Sequence, residues 1–130
     1  VMDSSLPKRD GKFSQYNNGA LKNYHISYYA HNPKLPARAV ARLRKNPGKN
    51  IVNEGPPGIN VESDRAHKVM LIKNEAHIRL FIDDRLIIDW IDDGKINDGP
   101  LGGGKIAFRQ MQWTHFRYRN FKVWLLDSDR

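Results

Sequence analysis

His25, Ser27 and Tyr29 recur at intervals of two, and Arg42 and Arg44 keep the same interval in the next alternating run. In an extended chain alternate residues share a face, so these side chains would stand together on one side of a strand pair. A guanidinium pairs two-pronged with a carboxylate, an imidazole exchanges protons near neutrality, and a phenol beside a cation can deliver one. β-Elimination at a uronate needs those three services: its carboxylate neutralised, the neighbouring proton removed, the leaving oxygen protonated. On this reading His25 is the base and Tyr29 or Tyr28 the acid, with Arg44, Asn46, Arg109 and Gln110 as carboxylate clamps and Arg42 and Lys45 as further substrate contacts. Arg109 and Gln110 are neighbours on an expected strand and point to opposite faces, so at most one enters a given site; charge favours Arg109. A structural account stands beside this one, because a lone His on a strand is commonly a satisfied structural residue and Tyr is a good strand former.

Other chemistries find less support. Glycoside hydrolysis needs two carboxylates facing each other across the scissile bond, and the basic first 50 residues offer only Asp3 and Asp10, neither on a clear strand. Asp83, Asp84, Asp92, Asp93 and Asp98 come later, in turns where Asp is expected for local hydrogen bonding. Those aspartates are the lesser candidates for a Ca²⁺ site, with no EF-hand spacing among them; otherwise no cofactor is expected. Gly102-Gly103-Gly104 is followed by neither Lys-Ser/Thr nor a helical pattern and is no phosphate loop. Trp90 and Trp124 lie in apolar runs and are expected in the core. Trp113 sits in a polar loop and is the aromatic expected to meet a sugar ring.

The elements that must position these residues are strands. A first strand is expected over Asn23–Tyr29, with Tyr24, Ile26 and Tyr28 opposed to His25, Ser27 and Tyr29. A second is expected over Arg38–Lys45, with Arg42 and Arg44 opposed to Ala41, Leu43 and Lys45, ending in the Asn46-Pro47-Gly48 turn. Ile51–Ile59 reads as a Gly- and Pro-rich connection. A three-stranded meander follows, Lys68–Ile72, His77–Ile82 and Leu86–Trp90, and its middle strand sets His77, Arg79 and Phe81 against Ile78, Leu80 and Ile82. Lys105–Met111 and Phe116–Leu125 complete about seven short strands without crossover helices, which argues for one sandwich domain spanning the chain.

At 130 residues the chain is long enough to bury a substantial core. With no cysteine it has neither a disulfide framework nor a thiolate nucleophile. No apolar run approaches the roughly 20 residues that cross a bilayer, and no charged N-terminal stretch precedes an apolar one, so a membrane is not an expected partner. Residues 1–50 hold 10 Lys/Arg against 2 Asp, whereas residues 51–130 hold 12 of each sign, so the net +8 lies entirely in the first part. Such a field favours polyanions. Nucleic acid is the weaker candidate, since interleaved Tyr24, Tyr28 and Tyr29 come with no RRM, OB-specific or zinc signature.

The order of motifs points further. Leu6-Pro-Lys-Arg-Asp-Gly11, Tyr24-His-Ile-Ser-Tyr-Tyr29, Leu43-Arg-Lys-Asn-Pro-Gly48, Asp92-Asp93, Gly104-Lys-Ile-Ala-Phe-Arg-Gln-Met111 and Tyr118-Arg-Asn-Phe-Lys-Val-Trp124 together resemble the YesU-like family of uncharacterised bacterial proteins from rhamnogalacturonan-utilisation gene clusters. The resemblance implies a concanavalin A-like, jelly-roll β-sandwich of antiparallel sheets. It also implies an acidic polysaccharide or oligosaccharide as partner, acted on by a lyase or held by a non-catalytic, lectin-like module. Members of that family are longer, so further N-terminal strands are expected, from a precursor, another chain or a homo-oligomer, and a lone monomer is not expected to persist. Fold cannot separate enzyme from lectin, and localisation, cytoplasmic or secreted, stays open.

Overall fold

Alternation of apolar and polar side chains becomes, in the computed structural model, two antiparallel three-stranded sheets; the structure describes residues 12–28, 34–59, 64–110 and 115–127. A short helix α1 (Phe13–Asn17) leads to β1 (Asn23–Tyr28), a 3₁₀ turn (Pro36–Arg38), β2 (Ala41–Asn46) and β3 (Asn50–Gly55), which form the first sheet in the order β1-β2-β3. The meander β4 (Val69–Asn74), β5 (His77–Ile82) and β6 (Arg85–Ile91) forms the second. The β5–β6 hairpin closes through Asp83 and Asp84, both at positive φ, the backbone that two-residue turns between twisted strands require and that Asp tolerates. Gly48, at φ 101°, does the same service between β2 and β3, where a side chain would be strained.

The two sheets share one core. Tyr24, Ala41 and Leu43 from the first meet Ile78, Leu80, Ile82, Ile87 and Ile88 from the second, and Trp90 stands edge-on to Tyr24 at 6.1 Å. β5 buries every second residue, as its alternation predicts. A register shift between Leu80 and Phe81 against β6 accompanies the burial of two successive residues there, Ile87 and Ile88. β3 meets β6 where Gly55 lies so close to the Ile87 carbonyl oxygen that a Cβ would overlap it. Gly55→Ala is therefore expected to cost about 1–3 kcal/mol through overpacking, read as a lowered urea midpoint with an unchanged slope.

A buried polar group ties the β1–β2 sheet to the loop after β6. The Lys45 Nζ lies 2.7 Å from Asp92 Oδ2, with both side chains out of solvent. It also donates to the carbonyls of Asp98 and Gly99. Tyr24 donates its hydroxyl hydrogen to Asp92 at 2.6 Å and accepts from the Leu101 N–H at 2.8 Å. Asn23, Asn46 and Asn50 complete the inner end of the hairpin: Asn46 donates to Asn23 and accepts from the Lys49 N–H, and Asn50 donates to the Lys45 and Pro47 carbonyls.

The structure corrects four expectations. Asn50–Gly55 is a strand, not a connection; its period is hidden because β3 itself bulges at Val52, Leu43 pairing with Asn53 and Arg44 with Ile51. β2 starts at Ala41 rather than Arg38 because Pro36 opens a 3₁₀ turn. Residues 105–110 and 115–127 alternate as strands do, yet among the described residues no ladder joins them, and Lys105 makes an isolated bridge. Trp124, expected in the core, is 75% exposed for the same reason; alternation defines a face, but burial needs a second layer against it.

Candidate functional site

The register of β1 against β2 sets His25 directly opposite Arg44 and Ser27 opposite Arg42. These four residues occupy the face turned away from the core, because Tyr24, Ala41 and Leu43 fill the other. Arg44 donates from Nη1 to Ser27 Oγ at 3.0 Å. Arg42 is tied to Glu54 on β3 at 2.9 Å and reaches the Ala37 carbonyl, so its charge is already answered. Arg109 arrives from the far end of the chain and places Nη1 3.0 Å from His25 Nε2. Its guanidinium carbon lies 4.1 Å from the centroid of the Phe13 ring in α1, a cation–π contact. His25 is thus bracketed by two guanidinium groups on one sheet face.

Its electrostatics follow. Burial, then the charge of Arg109, then that of Arg44, push the His25 imidazole down from 6.5 to about 4. It is neutral at pH 7. Because a guanidinium only donates, Nε2 accepts from Arg109, and the proton of the neutral ring resides on Nδ1. Histidine ¹⁵N NMR is expected to find His25 in the Nδ1–H form and uncharged down to about pH 5. Replacing Arg109 with Gln should raise its titration midpoint part of the way, since burial remains. A midpoint near the ordinary value in the unmodified protein would remove this account.

The sequence-derived set is thus divided. His25, Arg44 and Arg109 come together, with Ser27 and Arg42 beside them. Tyr28 does not join them: it shares the inward face with Tyr24, packs against the core, and has its hydroxyl pushed up by burial and then by Tyr118. Lys45 and Asn46 are fully buried and bonded within the fold, so neither offers a group to a substrate on this face. Gln110 is exposed beside Arg109. Tyr29, Trp113, Asp3 and Asp10 lie outside the described residues. Phe13 and Glu54 belong to the site and carried no signal in the sequence, each being remote from His25 along the chain. Lys45 did carry one, as a lysine in the apolar column of Ala41 and Leu43.

A second polar group lies on the other sheet. A cavity of about 460 Å³ is lined by Pro57, Ile59, Arg65, His67, Asp83 and Arg85 among others. Asp83 receives His67 Nδ1 at 2.6 Å and Arg65 at 3.1 Å, and its other oxygen takes the Lys68 N–H. The His67 bond first, then the Lys68 amide, holds the Asp83 carboxyl below its ordinary range. These bonds fasten the entry of β4 to the β5–β6 turn, which accounts for Asp83 structurally. Asp92 and Asp93 likewise accept the backbone N–H groups of Gly94 and Lys95. Among the described residues no three His, Asp or Glu side chains converge as a bound metal requires, and no helix is long and apolar enough to cross a membrane.

The geometry can be set against known proteins. The family model for a domain of unknown function, DUF1961, matches residues 1–123. The uncharacterised protein YesU of Bacillus subtilis (strain 168) is 32% identical over 126 residues, 95% of this chain and 57% of YesU. A crystal structure of a Bacillus subtilis protein of unknown function with a galectin-like fold superposes with a TM-score of 0.64 at 27% identity, covering 76% of this chain and 46% of that one. The chain therefore spans about half the length of the relatives it matches, and its two antiparallel sheets are those of a galectin-like, jelly-roll β-sandwich.

Proposed function

This chain belongs to the DUF1961 family, and from that premise we propose that its outward β1–β2 face binds an acidic, uronate-bearing saccharide, with the carboxylate received by Arg44 and Arg109. One observation carries the reading: two guanidinium groups flank a neutral imidazole on one sheet face. Arginine suits a planar carboxylate because its N–H donors match it two-pronged. Ser27 and the Nδ1–H of His25 add neutral donors of the kind that sugar hydroxyls use. The galectin-like fold of the solved relative is consistent with a saccharide as ligand.

A second reading, β-elimination with His25 as base, is favoured by the imidazole's being uncharged and so able to accept a proton. Its strength decides against making this the first reading. A base held near 4 lies well below the operating pH at which general bases work best, and Tyr28, the candidate acid, faces the core.

The test is titration with oligogalacturonides and rhamnogalacturonan fragments against a neutral galactan, while ultraviolet absorbance follows any unsaturated uronide ends. Acid-specific binding that weakens with added salt is expected. Equal affinity for the neutral glycan would end the carboxylate reading, and rising absorbance that vanishes in His25→Gln would promote elimination to the first place.

A further inference from the structure

The outward face of the first sheet carries two rows of side chains that differ in charge. Register places His25, Arg44 and Ile51 in one row and Ser27, Arg42 and Glu54 in the next. Rows two residues apart along a strand stand about 7 Å from each other, close to one sugar unit of a glycan chain. The first row, with Arg109 against His25, is cationic. In the second the cation is already engaged: Arg42 donates from Nε to Glu54 Oε1 at 2.9 Å and from Nη2 to the Ala37 carbonyl. The Arg42 side chain is 17% exposed and that of Glu54 51%. What this row shows to solvent is therefore a carboxylate, beside a Ser27 hydroxyl that accepts from Arg44 and keeps its own hydrogen to donate. The opposite end of the face is closed. Asn23 and Asn46, next in the same columns, are buried; Asn46 donates to Asn23, and Asn23 donates to the Tyr16 carbonyl in α1. Along the strands, a glycan whose acid sits in the first row has the second row to continue over.

We infer that Glu54 determines specificity by setting the charge pattern of the ligand: one uronate, followed by a neutral sugar. The inference rests on the saccharide reading and sharpens it. A neutral ring over the second row gives hydroxyl hydrogens to the Glu54 carboxylate, which only accepts, and receives the hydrogen of Ser27. A second uronate in that place sets carboxylate against carboxylate, and such like-charge contacts are how a binding surface rejects a wrong partner. Arg42 does not relieve the repulsion, because its bond to Glu54 holds that carboxylate in position. A run of consecutive uronates is still bound through one acid, but more weakly than a chain in which acid and neutral rings alternate.

Calorimetric titration of the 130-residue chain with two disaccharides tests this: an aldobiouronate, whose uronate is linked to a neutral sugar, and digalacturonate. At low salt the aldobiouronate should bind about 10-fold more tightly. That gap should narrow as sodium chloride is raised, since Glu54 is half exposed and its field is screened; the salt series reads the repulsion without any substitution. Glu54→Gln removes the carboxylate and releases Arg42 toward the second acid. Digalacturonate should then gain about 10-fold or more, while the aldobiouronate changes by less than about 3-fold. Equal affinities in the unmodified protein, or an unchanged ratio in Glu54→Gln, would overturn the role of Glu54 and leave the clamp of Arg44 and Arg109 standing. Binding of neither acid would end the clamp and this inference with it.

Discussion

Asp92→Asn is expected to destabilise the domain by about 3–5 kcal/mol, because it leaves the Lys45 ammonium buried with no counter-charge. A domain of this kind has roughly 5–15 kcal/mol in all, so the variant should sit at the edge of unfolding, with a steep fall in the urea midpoint. Lys45→Met should cost less, since Asp92 keeps the Tyr24 hydroxyl and the Gly94 N–H as donors. Replacing both partners with apolar residues of similar volume should recover much of the loss. The double-mutant cycle measures the coupling, expected at up to about 3 kcal/mol; two single losses under about 1 kcal/mol would show that the pair behaves as a surface bridge.

The sign of its pH dependence is fixed by Asp92. Burial raises its carboxyl, but the bond from Lys45, then those from Tyr24 and Gly94, then the Lys45 charge, outweigh that and hold it below 3.8. As pH falls the unfolded chain takes up the proton first. The contribution is therefore complete above about pH 4 and is lost as pH drops through the folded-state value, so acid unfolding of the unmodified protein should be steeper than that of Asp92→Asn.

The second sheet was legible from residues alone. β5 sets Ile78, Leu80 and Ile82 against His77, Arg79 and Phe81 without interruption, and two short turns bound it, so period and punctuation agree. β3 was not legible, because its own bulge at Val52 breaks the period of two and Asn53 and Glu54 blur its alternation. The alternation told that His25 and Arg44 each keep to one column of their strands, but the register of β1 against β2 brought them opposite each other. Arg109 lies 84 positions from His25, and nothing local in a sequence encodes an approach of that length. Lys45 shows the converse: it was read by its charge as a substrate contact, whereas its place in the column of Ala41 and Leu43 carried the signal of burial, which its pairing with Asp92 makes possible.

Arg109→Gln and Arg44→Gln should each weaken binding of an oligogalacturonide about 10- to 100-fold, the worth of a charge-assisted hydrogen bond of roughly 1.5–3 kcal/mol. Lysine should rescue neither fully, because it cannot present paired donors to a carboxylate. pH separates a direct clamp from a structural role. A bound uronate beside His25 favours the imidazolium and raises its pKa from about 4. Affinity for the ionised ligand should therefore climb as pH falls from about 7 toward about 4. His25→Gln should bind with nearly flat pH dependence. In Arg109→Gln the free imidazole titrates higher, so the climb should begin at higher pH even though every affinity is lower. Calorimetric titration across that range reads both effects, and a loss of affinity with an unaltered pH profile would mean that Arg109 supports the fold of the face and does not touch the sugar acid.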